Sequence, residues 1–536
     1  MVRIAVRTSF SSSAAAARSD LAPARWRRPF LKWLGGVEAG WAVPLLLAGF
    51  IAVWVVYLQI AYLSGYLHPD VLETWSFGRT WQWGNSKHPP LVGWAVYLWT
   101  SVFPLTDWSF QLLAMTNSAI ALWSVDLISR HFVRGDKRIV VLLLLMLTPV
   151  YQFHAQRFNA NAILLATWPI ATYCFLRSFE TRDLLWAVAA GATAALAMLG
   201  KYYSVFLVGG FVIAAIAHPQ RRTYFGSFAP WVSTAAGLVV LAPHLYWLAT
   251  TDASPFTYAL KTSGEASLGQ SLIDAGSFLL GIGATMVLPA LSWIAIAGSR
   301  LKQWPADFKA LNSGLLLLFL IGIATVVLPM IAAVGLRTHF PALWAWQGLF
   351  LFVIVVVCGA GFSIERFYPV NLAILVFGMV TICLVVVAPA HAIFRNTHPF
   401  KEGRNFYRPA VAELTRRWHE VSDAPLPFVS GTDGLAFAAA FYSPDHPQYQ
   451  HVWEPDDSSA PSQATLERGW GSMCFSDDEG CIIQIERVAP PARSVRSEFT
   501  VQSVLMGFPG VTGRVTALIV RPYDEKNCIP TGPKQC

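Results

Sequence analysis

The sequence predicts an all-α polytopic membrane domain of about eleven transmembrane helices, residues 41–392, joined to a small soluble α/β domain, residues 393–536. Three observations predict it. The 536 residues are 55% hydrophobic and only 13% charged, against roughly 25% charged in an average soluble domain. Apolar runs recur that match or approach the ~20 residues needed to cross a hydrocarbon core of ~30 Å. Past residue 392 the composition turns toward Asp, Glu, Pro and Ser.

The basic segment 1–40 comes first. Arg18, Arg25, Arg27, Arg28 and Lys32 precede the first apolar run and read as a cytoplasmic anchor against membrane lipids, with no nucleic acid as partner. The Ser/Ala-rich stretch 8–18 holds no apolar core, and the run 41–64 is too long for a signal peptide, so a retained first span is expected. Runs then fall near 41–64, 109–129, 138–153, 160–176, 184–200, 202–217, 228–249, 275–297, 313–336, 342–361 and 369–391. With alternating spans, the connections carrying Arg130, Arg134, Lys137 and Arg138, then Arg177 and Arg182, Arg221 and Arg222, and Arg300 and Lys302 share the side of the N-terminus. The positive-inside rule makes that side the cytoplasm of a bacterial inner membrane.

The periplasmic side then carries the loop 65–108, the turns near 154–160 and 200–203, the loop 250–274, the turn 337–341 and the tail. Segment 91–104 is apolar, short and aromatic, which predicts an interfacial helix. In the tail, Phe499–Leu505 and Arg514–Val520 alternate as strands do. Arg395, Lys401, Arg404 and Arg408 run against a periplasmic tail, although long domains translocate largely regardless of charge. Cys474/Cys481 and Cys528/Cys536 are spaced as small disulfide loops of an oxidising compartment, with four free thiols as the alternative. No Walker-type loop, internal repeat or Cys/His metal spacing occurs.

The residues equipped for chemistry lie in the first loop, His68 to Trp94. Asp70 and Glu73 stand three apart, which puts both on one face of a short helix. Trp75, Trp81 and Trp83 offer flat surfaces for sugar rings, and an aromatic belt at the lipid headgroups explains them equally well. His88-Pro89-Pro90 forces an extended kink, either a rigid turn or a means of placing an imidazole. On the same face stand Lys201, flanked by Gly200, Tyr202 and Tyr203, with Arg337, His339 and Arg157. Arg79 and Lys87 belong to the first loop, and His244 follows Pro243 inside an apolar run. The competing readings are snorkelling to headgroups for the cations, a hydrogen-bonded structural role for His244, and a cap and turn for Arg157, Asn159 and Asn161.

An Asp just after the first span, Trp83-Gly84 13 residues on and then Lys87-His88-Pro89-Pro90-Leu91, with the run FNANAILLATWP and the turn LGKYY, resemble the GT-C glycosyltransferases. More narrowly they resemble the protein-mannosyltransferase-like bacterial family that includes aminoarabinose transferases and rhizobial lipopolysaccharide galacturonosyltransferases. The resemblance covers most of residues 40–250 in pattern and fades in the last spans. It implies a GT-C fold and an integral enzyme that moves a sugar, with inversion, from a polyprenyl-phosphate donor to a periplasmic acceptor: lipid A, a polysaccharide, another lipid or a protein. In the family the first acidic residue is commonly followed at once by Glu, whereas here Val71 follows Asp70.

That chemistry needs a carboxylate to take the acceptor's proton, Asp70 with Glu73 in reserve. It also needs cations for the departing phosphate, for which Lys201, Arg337, His339 and Lys87 are the candidates. His88, Tyr202, Trp83 and His244 are the candidate substrate contacts. No cofactor is certain: a divalent cation at the loop's carboxylates and histidines stays open, though the sequence shows no ligand set that requires one. The alternative function is a transporter or flippase of lipid-linked or small polar substrates, which would place charged or broken segments at mid-span. Here charge collects at one face. A third reading makes the tail the working part and the membrane domain its platform.

Overall fold

The computed structural model describes residues 25–251, 255, 264, 266–339, 342–398, 407–450 and 467–523. Arg18, Lys401, Arg404, Cys528 and Cys536 lie outside them.

A short helix, α1 (Arg28–Gly35), precedes the long apolar α2 (Ala42–Ala61). The first loop supplies α3 (Pro69–Gly78) and α4 (Leu91–Thr100). There follow α5 (Asp107–Phe132), α6 (Asp136–Met146), α7 (Ala162–Thr181), α8 (Leu184–Gly200), α9 (Val205–Ala217) and α10 (Ala229–Thr250). The membrane domain ends with α11 (Leu268–Ala297), α12 (Ser313–Leu336), α13 (Leu349–Gly359), α14 (Phe367–Ile382) and, after a π turn, α15 (Ala388–Thr397). Every expected apolar run contains one of these helices. Among the described residues seven helical stretches are long and apolar enough to span a membrane, and the chain is a multi-pass membrane protein.

The departures are local. The run 138–153 is helical only to Met146, because Pro149 disfavours helical backbone at Thr148, and a π turn, Val150–His154, follows. The loop expected over 250–274 is shorter, since α11 starts at Leu268, where the Ser267 hydroxyl accepts the Gln270 N–H as an N-cap. With 10 residues, α4 extends about 15 Å and cannot cross a ~30 Å core, in keeping with an interfacial helix. Helices α8 and α10 touch backbone to backbone at Gly191, where a Cβ would lie 1.9 Å from the Ser233 carbonyl oxygen. Small residues are what allow such closeness without a side-chain layer.

The arginine-rich connections gather at one end of the bundle. There Lys137 Nζ donates to the Ala360 carbonyl at 2.7 Å, Arg300 donates to that of Ser363 at 2.8 Å, and Arg366 lies 3.4 Å from Asp136. Arg138 makes a bidentate pair with buried Asp126 at 2.9 and 2.8 Å. At the other end the first loop, the turn before α7 and the turn between α8 and α9 close around one cavity.

The soluble domain comprises α16 (Tyr407–His419), β1 (Phe428–Gly431), α17 (Asp433–Tyr442), β2 (Gln448–Tyr449), β3 (Trp470–Phe475), α18 (Glu479–Val488), β4 (Ser494–Leu505) and β5 (Phe508–Val520). The sheet order is β2-β1-β3-β5-β4. Strand β1 is parallel to β2 and β3, and β3, β5 and β4 are antiparallel. The two alternating stretches form the β4–β5 hairpin, and a disulfide joins Cys474 to Cys481. The domain sits on the first loop: Phe441 packs edge-on against Trp75 at 5.3 Å and Phe110 at 5.4 Å. Arg79 donates to the carbonyls of His446 and Pro447, both at 2.8 Å. Trp75 is therefore an interdomain core residue, not a sugar platform, since burying an indole against other rings far outweighs leaving it wet.

Candidate active site

The cavity has a volume of about 580 Å³ and is lined by Asp70, Glu73, Lys87, His88, Asn159, Asn161, Lys201 and Tyr202 among others. Its first wall is α3. Pro69 occupies the first helical position, where its fixed φ suits a helix start and no N–H is missed, and His68 caps from extended backbone. Asp70 and Glu73 thereby face the same space, as the spacing predicts. The Asp70 side chain remains 42% exposed, so it can reach a substrate.

Two asparagines of the run before α7 organise the charges. Asn159 Nδ2 donates to Asp70 Oδ2 at 2.8 Å, while its Oδ1 accepts the N–H groups of Asn161 and Ala162 at 2.9 and 3.0 Å. Asn161 Oδ1 accepts from Lys201 Nζ at 2.5 Å, and that ammonium lies 4.8 Å from the centre of the Trp344 ring. One anion and one cation are thus each held by a neutral amide.

The electrostatics follow. Burial favours neutral Asp70, yet its contacts with His68 and Asn159 and the charge of Arg157 outweigh that and hold the carboxyl well below the usual carboxylate range. His68 Nδ1 lies 3.2 Å from the Asp70 N–H and 3.3 Å from its Oδ1, so the ring accepts from the amide when neutral and supports the carboxylate when protonated. Burial pulls Lys201 down to about 8, against the opposing charge of Asp70. Burial, with Lys201 and Lys87, pushes His88 down to about 4, so at neutral pH it offers an uncharged imidazole.

Lys87 lies 2.7 Å from Glu73 and 3.0 Å from Asp433. Burial works against its charge, but the two carboxylates more than offset this and hold the ammonium above its usual range. Glu73 is committed to that lysine, which leaves Asp70 the more accessible carboxylate.

Other sequence candidates stand apart from the cavity lining. His244 is 2% exposed and links two elements: its Nδ1 lies 2.6 Å from the Trp83 carbonyl and its Nε2 2.8 Å from Tyr202 Oη. Because a carbonyl only accepts, Nδ1 carries the proton and Tyr202 donates to Nε2. The expected substrate contact is thus a brace behind Tyr202. Trp83 joins it through backbone, and its ring packs with Trp81 and Trp94 at the surface. Arg337 is an exposed C-cap at φ 52°, and His339 pairs with Asp274 at 2.9 Å. Arg337, His339 and Lys201 share a span-end position, and of these three Lys201 alone lines the cavity. Among the described residues no group of three His, Cys, Asp or Glu side chains gathers as a metal site; the cavity's carboxylates are engaged by Asn159 and Lys87.

Sequence comparison matches residues 87–247 to the dolichyl-phosphate-mannose-protein mannosyltransferase family. A relative, the lipopolysaccharide core galacturonosyltransferase RgtB of Rhizobium johnstonii, is 25% identical over 362 residues, 63% of this chain and 70% of the relative. The fold is that of ArnT from Cupriavidus metallidurans, whose complex with undecaprenyl phosphate superposes with a TM-score of 0.60 at 13% identity, covering 89% of this chain and 98% of ArnT. The apo form of ArnT gives a TM-score of 0.58. The chain is a membrane glycosyltransferase of GT-C fold. In this glycosyltransferase the family match begins at Lys87 and ends at Trp247, so it takes in His88, Asn159, Asn161, Lys201 and Tyr202 but stops short of the soluble domain and excludes Asp70.

Proposed function

We propose that the cavity transfers a sugar from a polyprenyl-phosphate donor to a cell-envelope acceptor, with Asp70 as the general base. The observation that carries this is the pair of opposite charges in one cavity, Asp70 and Lys201, each held by a neutral asparagine amide. The acceptor hydroxyl oxygen forms the new bond to the anomeric carbon as the bond from that carbon to the phosphate oxygen breaks. The hydroxyl proton goes to Asp70, and the lipid phosphate leaves with the electron pair. Its growing charge is met by Lys201 and Lys87, in a space where fewer waters screen it. Arg157 lies close enough to bias the Asp70 carboxyl.

Two properties of relatives support the substrates. ArnT was crystallised with undecaprenyl phosphate, and RgtB acts on a lipopolysaccharide core. The cavity and soluble domain face the periplasm and the arginine-rich end faces the cytoplasm, by the positive-inside rule. The test supplies radiolabelled undecaprenyl-phosphate hexuronate, aminopentose and hexose to vesicles holding wild-type or Asp70→Asn protein. Label reaching lipid or polysaccharide with wild type alone supports the reading; equal transfer by the variant ends the role of Asp70.

A further inference from the structure

The soluble domain meets the cavity wall through Asp433, Phe437 and Tyr449. Asp433 opens α17, and its two oxygens serve different partners. Oδ2 accepts from Lys87 Nζ at 3.0 Å, and Oδ1 accepts from Tyr449 Oη at 2.6 Å. The Tyr449 ring packs at a tilt on Phe437, centroids 4.1 Å apart, and Phe437 in turn lies 6.0 Å from Phe77 of the cavity wall. Lys87 Nζ sits 5.5 Å over that same Phe437 ring. The cavity lysine is thus gripped from both domains: Glu73 of the first loop at 2.7 Å and Asp433 of the soluble domain at 3.0 Å.

A lysine head on four rotatable bonds has no preferred station of its own, unlike the planar fork of arginine. Two carboxylates fixed on separate elements define one. Asp433 is itself fixed, by its place in the first turn of α17 and by the phenol of Tyr449. Lys87 is 13% exposed and Asp433 44%, so the acidic partner is the outer one and the ammonium stays at the cavity wall.

We propose that Asp433 is a positioning residue for this cavity: the soluble domain sets where the Lys87 ammonium stands and hence how tightly a lipid-linked phosphate is held. This rests on the reading of Lys87 as a phosphate contact. It gives the tail a part in donor binding, and it accounts for a soluble domain seated on α3.

The test uses the full chain in nanodiscs and undecaprenyl phosphate as the probe. Dissociation constants are compared for wild type, K87A, D433A, D433E and the double variant K87A/D433A, with melting temperatures alongside. K87A and D433A should each weaken binding roughly tenfold, the loss of one charge-assisted contact. The double variant should be no weaker than K87A, and D433E should recover most of the loss, which a merely structural role would not produce. If D433A melts early, Asp433→Asn, which keeps the acceptor for Tyr449, replaces it and should still weaken binding severalfold. Unchanged or tighter binding by D433A beside a weakened K87A overturns the inference alone, tighter binding meaning that Asp433 competes with phosphate. Wild-type binding by a folded K87A overturns the phosphate role of Lys87 and the inference with it.

Discussion

The two ends of the membrane domain are built from the same residue types and handle them in opposite ways. At the arginine-rich end cations meet carboxylates or backbone carbonyls of neighbouring connections, as with Arg366 and Asp136, Arg138 and Asp126, and Lys137 and Ala360. Those contacts tie helix ends together, and the two to carboxylates neutralise the charge in doing so. At the cavity end Asp70 and Lys201 are held by Asn159 and Asn161, groups that satisfy geometry without neutralising. A buried charge is costly to maintain where its direct partner is a neutral amide, and here the mutual attraction of Asp70 and Lys201, with His68 and Arg157 beside the carboxylate, offsets part of that cost. Lys87, with two carboxylate partners, lies between these extremes.

The sharpest break of this comparison is Asp70→Asn. The asparagine can keep a hydrogen bond to Asn159, so melting should be unchanged while turnover falls about 10³-fold, within the range general bases contribute. A variant retaining more than a tenth of wild-type turnover would assign Asp70 to structure. Next is Lys201→Ala, expected to weaken undecaprenyl phosphate binding roughly 30-fold, the value of a hydrogen bond to a charged group. The pH dependence gives an independent reading. Burial places the Lys201 ammonium near 8, and only its charged form attracts phosphate, so wild-type affinity should decline as pH rises through about 8. Lys201→Arg, which stays protonated, should show no such decline. The Asp70 carboxyl lies well below the usual range and stays ionised down through mildly acidic pH, so it should add no acid limb in that region.

Membrane helices were legible because each is written locally, in about 20 apolar residues; the strands β4 and β5 were legible because alternation is equally local. Asp70, Glu73 and Lys201 were legible as polar residues beside apolar runs. Asn159 shows where this stops. Its spacing announces a cap, which it is, through the N–H groups of Asn161 and Ala162; its Nδ2 meanwhile reaches Asp70, 89 residues earlier. A sequence displays the local bond and hides the distant one. Arg337 and His339 lie outside the cavity lining for the converse reason. Which way a span-end side chain points depends on how helices pack, and here α12 closes with Arg337 in left-handed backbone while Asp274 claims His339. Asp433 was hidden altogether, in a tail whose link to the first loop exists only in three dimensions.

Two smaller effects sharpen the contrast. Asn161→Asp gives Lys201 at the cavity end the kind of partner found at the other end. The new carboxylate should raise the Lys201 pKa, move the alkaline decline above 8 and weaken undecaprenyl phosphate binding roughly tenfold by cancelling the cation, a charge effect of about one pKa unit. Tighter binding would show that Lys201 is limited by its proton rather than by its exposure to phosphate. The reciprocal change, Arg366→Gln, removes a half-exposed cation from Asp136 at the arginine-rich end. Exposed pairs contribute about 0–1 kcal/mol, so turnover and undecaprenyl phosphate affinity should stay within twofold and the melting temperature should fall by only a degree or two. A large loss of turnover from that position, at the opposite end of the membrane domain from Asp70, would mean that the two ends are mechanically coupled, and the division between a structural end and a chemical end would have to be abandoned.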